Sequence, residues 1–386
     1  MAQQRTRPLS YGMIGGGPGA FIGDVHRRAI ALDPNTSLVA GVFSRDAQAS
    51  LQTARELLLD ESRVYRDYGE MAERESARDD GIDFVVIVTP NVSHYDIART
   101  FLEKGIHVVC DKPLTTELAD AEALGKLIAK TGLLFGVTYT YTGYPTVKKA
   151  RDLVRSGALG KIRFVNAEYP QEWLATRAED EAGNRQASWR TDPSQSGKSN
   201  CVGDIGTHVE NMVSYVTGLE IESLSARLDS FVEGRTLDDN ATVMVNYRGG
   251  ATGVYWTSQV AIGADNALRI RVFGERGAIE FFQEDPNYLT YAPLDGPVQT
   301  LSRGRDDLGE RGQSLVRIPA GHPEGYFEAF ANIYKTFTGA LRKRLAGESL
   351  ADDDLDFPNV EDGIQGVRFV TRVVESAAQK SAWVDF

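Results

Sequence analysis

The sequence of 386 residues contains only two cysteines, Cys110 and Cys201. A secreted protein of this size more often carries a disulfide framework, and the opening residues lack the apolar core of a signal peptide. We therefore predict a reducing, cytoplasmic location. Cys110 lies inside an apolar run, so a packed thiol is favoured there over a nucleophile.

Long hydrophobic runs and an excess of basic residues are also missing. The longest strongly apolar segments, such as 84–88, are far too short to cross a bilayer. The net charge of −12 argues against a nucleic-acid partner and does not favour an anionic membrane surface. The apolar and charged fractions, 42% and 25%, are typical of a globular protein, and the length suffices for two domains.

Strands and helices alternate through the first third of the chain. Near-continuous apolar runs at 82–88 and 106–110 are typical of strands that are covered on both faces. The segments 94–103 and 116–130 have helical patterns. This alternation predicts a doubly wound parallel sheet, and hence an N-terminal Rossmann domain over residues 1–139. Further strands are predicted at 11–14, 37–43 and 133–139.

The pattern changes after Tyr139. Strand pairs flank glycine turns within 242–259 and 269–282, which indicates an antiparallel sheet. We predict a second α/β domain over 140–386 with a large, mostly antiparallel open sheet. The polar stretch 173–200 has no clear periodicity and is predicted to be a functional or interfacial loop.

Two predicted helices close the chain. The first carries an apolar and aromatic stripe that favours core packing, formed by Tyr326, Phe327, Phe330, Ile333, Tyr334, Phe337 and Leu341. The second, from about Val360 to Ala378, is expected to pack back toward the first domain.

A glycine-rich turn follows the first predicted strand. Gly15, Gly17 and Ala20 satisfy the pattern G-x-G-x-x-G/A, which lets backbone N–H groups approach a pyrophosphate at a helix N-terminus. The second strand ends at Ser44 and Arg45, where NAD enzymes place an acidic residue on the adenosine ribose. The hypothesis is that NADP is accepted at least as well as NAD. Asp46 is predicted to point elsewhere, unless a shifted turn brings it in.

A polar segment, Thr89 to His94, follows the strand at 82–88. In an open parallel sheet, loops at the carboxyl ends of strands line the ligand crevice. We therefore predict that Thr89, Asn91 and His94 lie near the nicotinamide. The alternative is that Asn91 or Ser93 caps the following helix and that His94 lies on its surface.

Two motifs place ionisable groups where acid/base chemistry would use them. Lys112 follows an apolar strand, and Asp204 and His208 stand four residues apart on one helical face. His208 could remove the proton of a hydroxyl group, and Asp204 could orient the imidazole or bind a neighbouring hydroxyl. Lys112 could stabilise a developing alkoxide or move a proton itself.

Each motif also has a purely structural interpretation. Lys112 could be a surface lysine, and Asp204 could be a helix N-cap with His208 on the first turn. A zinc site would need a third close ligand, for which only Cys201 is suggestive, and we predict no metal.

These segments resemble the Gfo/Idh/MocA (glucose–fructose oxidoreductase / inositol dehydrogenase) family. The matching elements are 15–17, 89–94, 111–113 and 203–208, which occur in the family's order and extend over nearly the whole chain. Asp111 departs from the usual Glu-Lys-Pro. Extra residues also precede Gly23 and His26, which look like the family's third glycine and its following histidine.

The chain is most similar to a subgroup with the loop 17–23, the pair Trp189-Arg190 and the segment 321–325. Members similar in these segments include scyllo-inositol dehydrogenases that also oxidise L-glucose. The resemblance implies a small polyhydroxylated substrate and a homo-oligomer, a dimer or tetramer, formed through the C-terminal sheet. It also suggests that Arg177 and His322 reach the site of a neighbouring subunit.

The motifs and the resemblance together give the candidate site residues. The catalytic residues are Lys112, Asp204 and His208. The cofactor, NAD or NADP, is assigned to Gly15, Gly17, Ala20, Phe21, Ile22, Ser44, Arg45, Thr89, Pro90, Asn91, His94, Asp111, Lys112, Trp189 and Arg190. The substrate is assigned to Lys112, Tyr141, Tyr169, Arg177, Asp204, His208 and His322, with Gln171 and Trp173 as further polar candidates.

We therefore predict an NAD(P)-dependent oxidoreductase that transfers a hydride between nicotinamide and a ring secondary alcohol of a cyclitol or sugar. One alternative is a glycoside-cleaving enzyme that uses tightly bound NAD transiently. The other is a non-catalytic nucleotide-binding regulator, against which the joint presence of Lys112, Asp204 and His208 weighs.

Overall fold

The computed structural model describes residues 7–305 and 308–386. Its contacts divide the chain into two compact units. The first unit comprises the described residues up to Thr115, Ala119–Thr138 and Phe330–Gly363. The second comprises Thr116–Leu118, Tyr139–Ala329 and Ile364–Phe386.

A parallel sheet of five strands forms the centre of the first unit, in the order β2-β1-β3-β4-β5. Every residue of β3 and β4 is buried, as expected for strands covered on both faces. This sheet confirms the predicted Rossmann architecture. The strands are β1 Leu9–Gly15, β2 Thr36–Val42, β3 Phe84–Val88, β4 His107–Cys110 and β5 Phe135–Val137.

Five helices connect these strands or follow them. The predicted helix at 94–103 has the bounds that the structure gives to α4. The sequence did not indicate α2 and α3, because small and polar side chains such as Ser50, Thr53 and Glu75 share their buried faces with only a few apolar ones. The helices are α1 Phe21–Ala31, α2 Ala47–Glu56, α3 Tyr68–Ser76, α4 His94–Glu103 and α5 Leu118–Thr131.

The second unit is built on a sheet of nine strands, in the order β13-β12-β11-β10-β6-β9-β8-β7-β14. Only the central pair β6 and β9 is parallel, which confirms the prediction of a large, mostly antiparallel sheet. The strands are β6 Ile162–Pro170, β7 Ile221–Asp229, β8 Asn240–Tyr247, β9 Thr252–Ser258, β10 Arg269–Gly274, β11 Gly277–Phe282, β12 Tyr288–Pro293, β13 Gln299–Ser302 and β14 Val384–Asp385.

The two faces of this sheet differ in burial. Alternate residues such as Val165, Val243 and Tyr255 are buried in the core of the unit. Their neighbours on the other face include large apolar side chains that are exposed, among them Met244 and Trp256. One face of the sheet is therefore left open among the described residues.

The segment predicted to be a loop at 173–200 contains two short helices, α7 and α8. A helix of four to six residues is too short to show a periodic pattern, so the sequence did not reveal them. The helices of this part are α6 Pro145–Arg155, α7 Arg185–Arg190, α8 Pro193–Ser196, α9 Thr207–Thr217 and α10 Gly309–Ser314. Short 3-10 turns lie at Glu61–Arg63, Asn91–Ser93, Thr140–Gly143, Ala178–Asp180 and Asp352–Leu355.

Two long helices close the chain, α11 Tyr326–Leu345 and α12 Val360–Ala378. The predicted stripe on α11 is buried from Phe330 onward, but Phe327 is exposed. Phe337 packs edge-on against Phe84, with 5.5 Å between ring centroids. After the second unit begins at Tyr139, the chain returns to the first unit with the segment Phe330–Gly363. This return was predicted for the final helix, but α12 belongs to the second unit from Ile364 onward.

Both cysteines are buried free thiols. None of the helices in the described ranges is long and apolar enough to cross a membrane. The predicted cytoplasmic location stays a prediction.

Candidate active site

The turn between β1 and α1 brings backbone into close contact with the ends of two strands. A Cβ atom on Gly15 would lie 2.8 Å from the carbonyl oxygen of Val88, and one on Gly17 would lie 2.5 Å from that of Phe43. Gly15 also has a φ of +90°, which favours glycine. The turn therefore accepts only glycine at these positions, as a backbone cradle for a pyrophosphate requires.

The third glycine of this cradle is Gly23. A Cβ atom there would lie 2.3 Å from the Cα atom of Gly16, so this glycine permits the close contact between helix and turn. Ala20, which the sequence pattern assigned to this position, instead precedes α1 with extended backbone and donates its N–H to the Gly17 carbonyl at 3.0 Å. The turn is thus longer by three residues than G-x-G-x-x-A implies. Phe21 and Ile22 open the helix.

Polar residues follow β2, where an adenosine ribose would be bound in a Rossmann domain. Asp46 caps α2, since its Oδ1 accepts the N–H of Ala49 at 2.9 Å. The Ser44 hydroxyl oxygen accepts the N–H of Asp46 at 3.1 Å. Arg45 is exposed. The carboxylate of this turn therefore has a structural role, and Arg45 is the charge that the turn presents to solvent.

His94 connects two loops of the first unit. Its buried ring places Nδ1 2.9 Å from the carbonyl oxygen of Pro113 and Nε2 2.8 Å from that of Thr89. The ring is therefore not on the helix surface, contrary to the alternative interpretation. It fixes the loop after β3 relative to the loop that carries Lys112.

The loop after β4 is held at its first residue. Oδ1 of Asp111 accepts the backbone N–H of Lys112 at 2.9 Å and the hydroxyl of Thr138 at 2.7 Å. Lys112 is half-buried, and its peptide bond to Pro113 is cis. Asp111, the departure from Glu-Lys-Pro, thus shapes the lysine loop through its own carboxylate.

Asp204 and His208 lie within one helical segment of the second unit. A π turn at Val202–Gly206 runs directly into α9, so Asp204 is not the N-cap of this segment. Such single wide turns inside helices are frequent at functional sites. The side chain of Asp204 is only 15% exposed, and the whole residue His208 only 8%.

Two donors converge on one oxygen of Asp204. Oδ2 accepts Nε of Arg190 at 3.2 Å and Nε2 of Gln259 at 3.0 Å. The Arg190 guanidinium lies over the ring of Trp189 at 4.4 Å and over that of Trp173 at 5.7 Å, and its Nη1 donates to Gln186. Arg190, predicted among the cofactor residues, is therefore part of the carboxylate site.

Three tyrosine rings surround the imidazole of His208. Tyr141, Tyr139 and Tyr169 lie at centroid distances of 4.7, 5.7 and 6.2 Å. Tyr169 donates its proton to Oδ1 of Asn266 at 2.6 Å, so Tyr141 is the donor in the hydrogen bond between the two tyrosine hydroxyls. Burial raises the pKa of both hydroxyls, which keeps them protonated at neutral pH.

Two other histidines are committed to structural bonds in the first unit. Nδ1 of His26 lies 2.5 Å from the hydroxyl of Tyr334, and Nδ1 of His107 accepts the N–H of Leu134 at 2.8 Å. Burial lowers the pKa of each ring to about 4. Both rings are therefore uncharged at neutral pH.

Arg177 and His322 lie elsewhere in the second unit. Arg177 is exposed and pairs with Asp180 at 2.5 Å, while its Nη1 donates to the carbonyl oxygen of Glu233. His322 is exposed on a loop whose carbonyl oxygens accept from the buried Arg303, which also pairs with Glu324 at 2.8 Å. Their contribution to a neighbouring subunit stays a prediction.

Cys201 is unsuited to be a third metal ligand beside Asp204 and His208. It is fully buried, its Sγ faces the hydroxyl of Thr257 at 3.5 Å, and burial raises the pKa of the thiol. Within residues 7–305 and 308–386, no group of three potential metal ligands occurs.

The sequence did not indicate four amide side chains of this site: Gln186, Asn200, Gln259 and Asn266. Gln171, a predicted polar candidate, shares Asn266 with Tyr169 and accepts from Trp173 at 3.0 Å. Isolated amides in a loop or at a strand end carry no pattern that distinguishes them from surface residues.

Comparison with known proteins identifies the family. Residues 9–139 match the oxidoreductase family with an NAD-binding Rossmann fold, and residues 147–280 match the GFO/IDH/MocA C-terminal domain. The chain belongs to the Gfo/Idh/MocA family. It is an NAD-binding oxidoreductase, and the glycine cradle fits that cofactor.

Several relatives match the whole chain. The uncharacterized oxidoreductase YfiI of Bacillus subtilis is 37% identical over 99% of this chain and 98% of its own. The structure is similar to that of an inositol dehydrogenase homolog from Azotobacter vinelandii with NAD+, at a TM-score of 0.93 and 37% identity over 99% and 98% of the two chains. The structure is also similar to that of levoglucosan dehydrogenase with NADH and levoglucosan, at a TM-score of 0.83 and 26% identity over 98% of each chain.

We expect the enzyme to use NADP at least as well as NAD, because Arg45 can pair with a ribose phosphate. Arg45→Ala should raise the Michaelis constant for NADP about tenfold, the factor that corresponds to ~1.4 kcal/mol, and leave that for NAD unchanged. The control is Arg99→Ala, which removes an exposed arginine of α4. A strong preference for NAD that Arg45→Ala does not alter would contradict this assignment.

Proposed function

We propose that the protein oxidises one ring hydroxyl of a cyclitol or sugar, with Lys112, Asp204 and His208 as its catalytic residues. The observation that carries this proposal is the Asp204 carboxylate, held by two side-chain donors, on the same helical segment as the largely buried His208 four residues later. One related structure is that of the Azotobacter vinelandii homolog with NADH and myo-inositol, at a TM-score of 0.90 and 36% identity over 99% and 98% of the two chains.

His208 is assigned the role of general base. An imidazole is the side chain whose ordinary pKa suits removal of a hydroxyl proton near neutral pH. The negative charge of Asp204 stabilises the imidazolium that forms when His208 takes this proton. NAD, when bound, supplies the acceptor for the hydride.

Lys112 is assigned to the developing negative charge on the substrate oxygen. A cation beside an alkoxide lowers the barrier most when the site excludes water, and Lys112 is half-buried. The bonds of Asp111 and His94 fix the loop on which it lies. This preorganisation is what such electrostatic stabilisation requires.

The polar groups of the second unit suit a substrate with several hydroxyls. Buried donors and acceptors discriminate strongly, because a substrate that lacks a matching group leaves them unpaired. Arg190, Tyr141 and Tyr169 present such groups close to Asp204 and His208.

We also propose that the chain forms a homo-oligomer, a dimer or tetramer, through the open face of its nine-stranded sheet. Phe164 and Phe273 are cross-strand neighbours on this face, and both are exposed, as are Met244 and Trp256. Large exposed apolar side chains on one face are typical of an interaction surface. The salt-bridged Arg269 and Glu280 on the neighbouring strands give this face a polar part.

Lys112→Ala and His208→Ala should each lower kcat about 10²- to 10⁴-fold with an inositol or aldose substrate, because each removes a proton-transfer or charge-stabilising group. Binding of NADH, followed by fluorescence, should persist in both variants. Lys104→Ala, which removes an exposed lysine of the same unit, is the matched control. Near-native turnover in either active-site variant would refute its assigned role. Release of an aglycone from an added glycoside, without net reduction of NAD, would favour the glycoside-cleaving alternative.

Trp256→Arg should dissociate the oligomer, because it places a charge in the centre of the proposed interface. Light scattering coupled to size-exclusion chromatography measures the mass. The control Ile262→Arg changes an equally apolar side chain that is 85% exposed in a loop outside the sheet, and it should leave the mass unchanged. An unaltered mass for Trp256→Arg, or a monomeric wild type, would show that this face is not the interface.

A further inference from the structure

Three residues of the second unit form a closed ring of hydrogen bonds around the Asp204 carboxylate. Nε2 of Gln259 donates to Oδ2 of Asp204 at 3.0 Å, and Nδ2 of Asn200 donates to Oε1 of Gln259 at 2.8 Å. The backbone N–H of Asp204 donates to the carbonyl oxygen of Asn200 at 2.8 Å, which completes the ring. Asn200 and Gln259 are both buried.

The ring fixes the direction of the Gln259 amide. Its donor end faces a carboxylate, which can only accept, and its acceptor end faces the NH₂ group of Asn200, which can only donate. Rotating the amide by half a turn would place two acceptors together at Asp204 and two donors together at Asn200. The amide of Asn200 therefore acts on the Asp204 side chain through Gln259.

The side chain of Asn200 contains a buried oxygen that destabilises the fold. Its Oδ1 is buried, and no described residue supplies a hydrogen-bond donor to it. An unpaired buried polar atom is destabilising, so a leucine of similar size would suit this position better if only packing mattered. The benefit that offsets this cost is the bond from Nδ2 to Gln259.

Both amides are anchored from outside the ring. Gln259 follows β9 and is held at its backbone, where its N–H donates to Asp239 and its carbonyl oxygen accepts from Leu174. Asp238 accepts the N–H groups of Asn200 and Val202, each at 3.0 Å, and the hydroxyl of Ser199. It thereby fixes the start of the helical segment that carries Asp204. Among the described residues, the charged or titratable groups that bond to members of the ring are Arg190 and Asp238. The carboxylate of Asp239 pairs instead with Arg235 at 3.2 Å.

We propose that Gln259, oriented by Asn200, is the positioning residue that sets the rotamer of the Asp204 carboxylate beside His208. The inference rests on the proposed dehydrogenase function, in which that carboxylate assists proton transfer. Arg190 binds the same oxygen from α7, so the amide and the guanidinium together hold Oδ2 from two sides. Neither Gln259 nor Asn200 is assigned a contact with the substrate.

Asn200→Leu tests the hydrogen bond from Asn200 to Gln259. It removes the donor to Oε1 of Gln259 together with the unpaired Oδ1 of Asn200. One unpaired buried oxygen is thus exchanged for another, so the unfolding temperature should change little. The proposal predicts that kcat falls about 10- to 100-fold, as for a misplaced catalytic group, while NADH binding is unchanged. Thr257→Val is the matched control, because it removes a buried hydroxyl of β9, two residues before Gln259, that faces Cys201 rather than Asp204. This control should keep wild-type kinetics.

Gln259→Glu tests the hydrogen bond from Gln259 to Asp204 through the pH dependence of the activity. Two facing carboxylates cannot both ionise without cost, so one of their pKa values rises. At low pH the introduced carboxyl group is protonated and can donate to Asp204 as the amide does. At high pH both groups are charged and repel. The ratio of variant to wild-type kcat/KM should therefore fall as the pH rises.

The outcomes separate this inference from the proposed function. Wild-type kinetics in both variants, or an activity loss that is constant over pH and parallels a lowered unfolding temperature, would overturn the positioning role while the function stands. If the wild type oxidises no polyol, the function fails, and crystal structures of wild type and Asn200→Leu still decide the inference. A rotated Asp204 carboxylate in the variant supports it, and an unchanged rotamer overturns it.

Discussion

The site of the second unit depends on keeping the Asp204 carboxylate in place with little access to water. A buried carboxylate is costly unless donors replace its hydration, and each donor must itself be held. Arg190 comes from α7, Gln259 from the end of β9, and Asn200 from the start of the helical segment. The indoles around Arg190 surround a charge whose partner, Asp204, is already fixed, and aromatic rings surround the imidazole of His208.

In the first unit, main-chain atoms form the contacts of the glycine turn and of the lysine loop. Its glycine turn contacts the ends of β3 and β2 so closely that side chains are excluded at Gly15 and Gly17. A side chain is also excluded at Gly23 of α1, which contacts Gly16 of the turn. The lysine loop is fixed by a carboxylate and a buried imidazole, each of which bonds to main-chain atoms. The cradle that fits the pyrophosphate of the cofactor is therefore formed by main-chain atoms, whereas the Asp204 carboxylate is oriented by other side chains.

Sequence patterns predicted the features that have a short-range signal. Continuous apolar runs located β3 and β4, and the spacing of glycines located the cradle. The glycine pattern alone selected Ala20 as the third position, whereas the family resemblance pointed to Gly23, and the close contact between Gly23 and Gly16 supports Gly23. Gln259 and Asn200 are 59 residues apart and meet only through the sheet, so no local pattern could join them to Asp204. The helices α7 and α8 were not predicted because four to six residues are too few to show a periodic pattern, and α2 and α3 were not predicted because their buried faces contain few apolar side chains.

The most direct test of the account is the fate of the hydrogen on the oxidised carbon. A cyclitol with deuterium on every ring carbon is incubated with the enzyme and NAD, and the reduced nicotinamide is analysed by mass spectrometry. The account predicts that each reduced nicotinamide contains one deuterium transferred from the substrate, and that the substrate becomes a ketone. Turnover of the substrate without deuterated, reduced nicotinamide would contradict it.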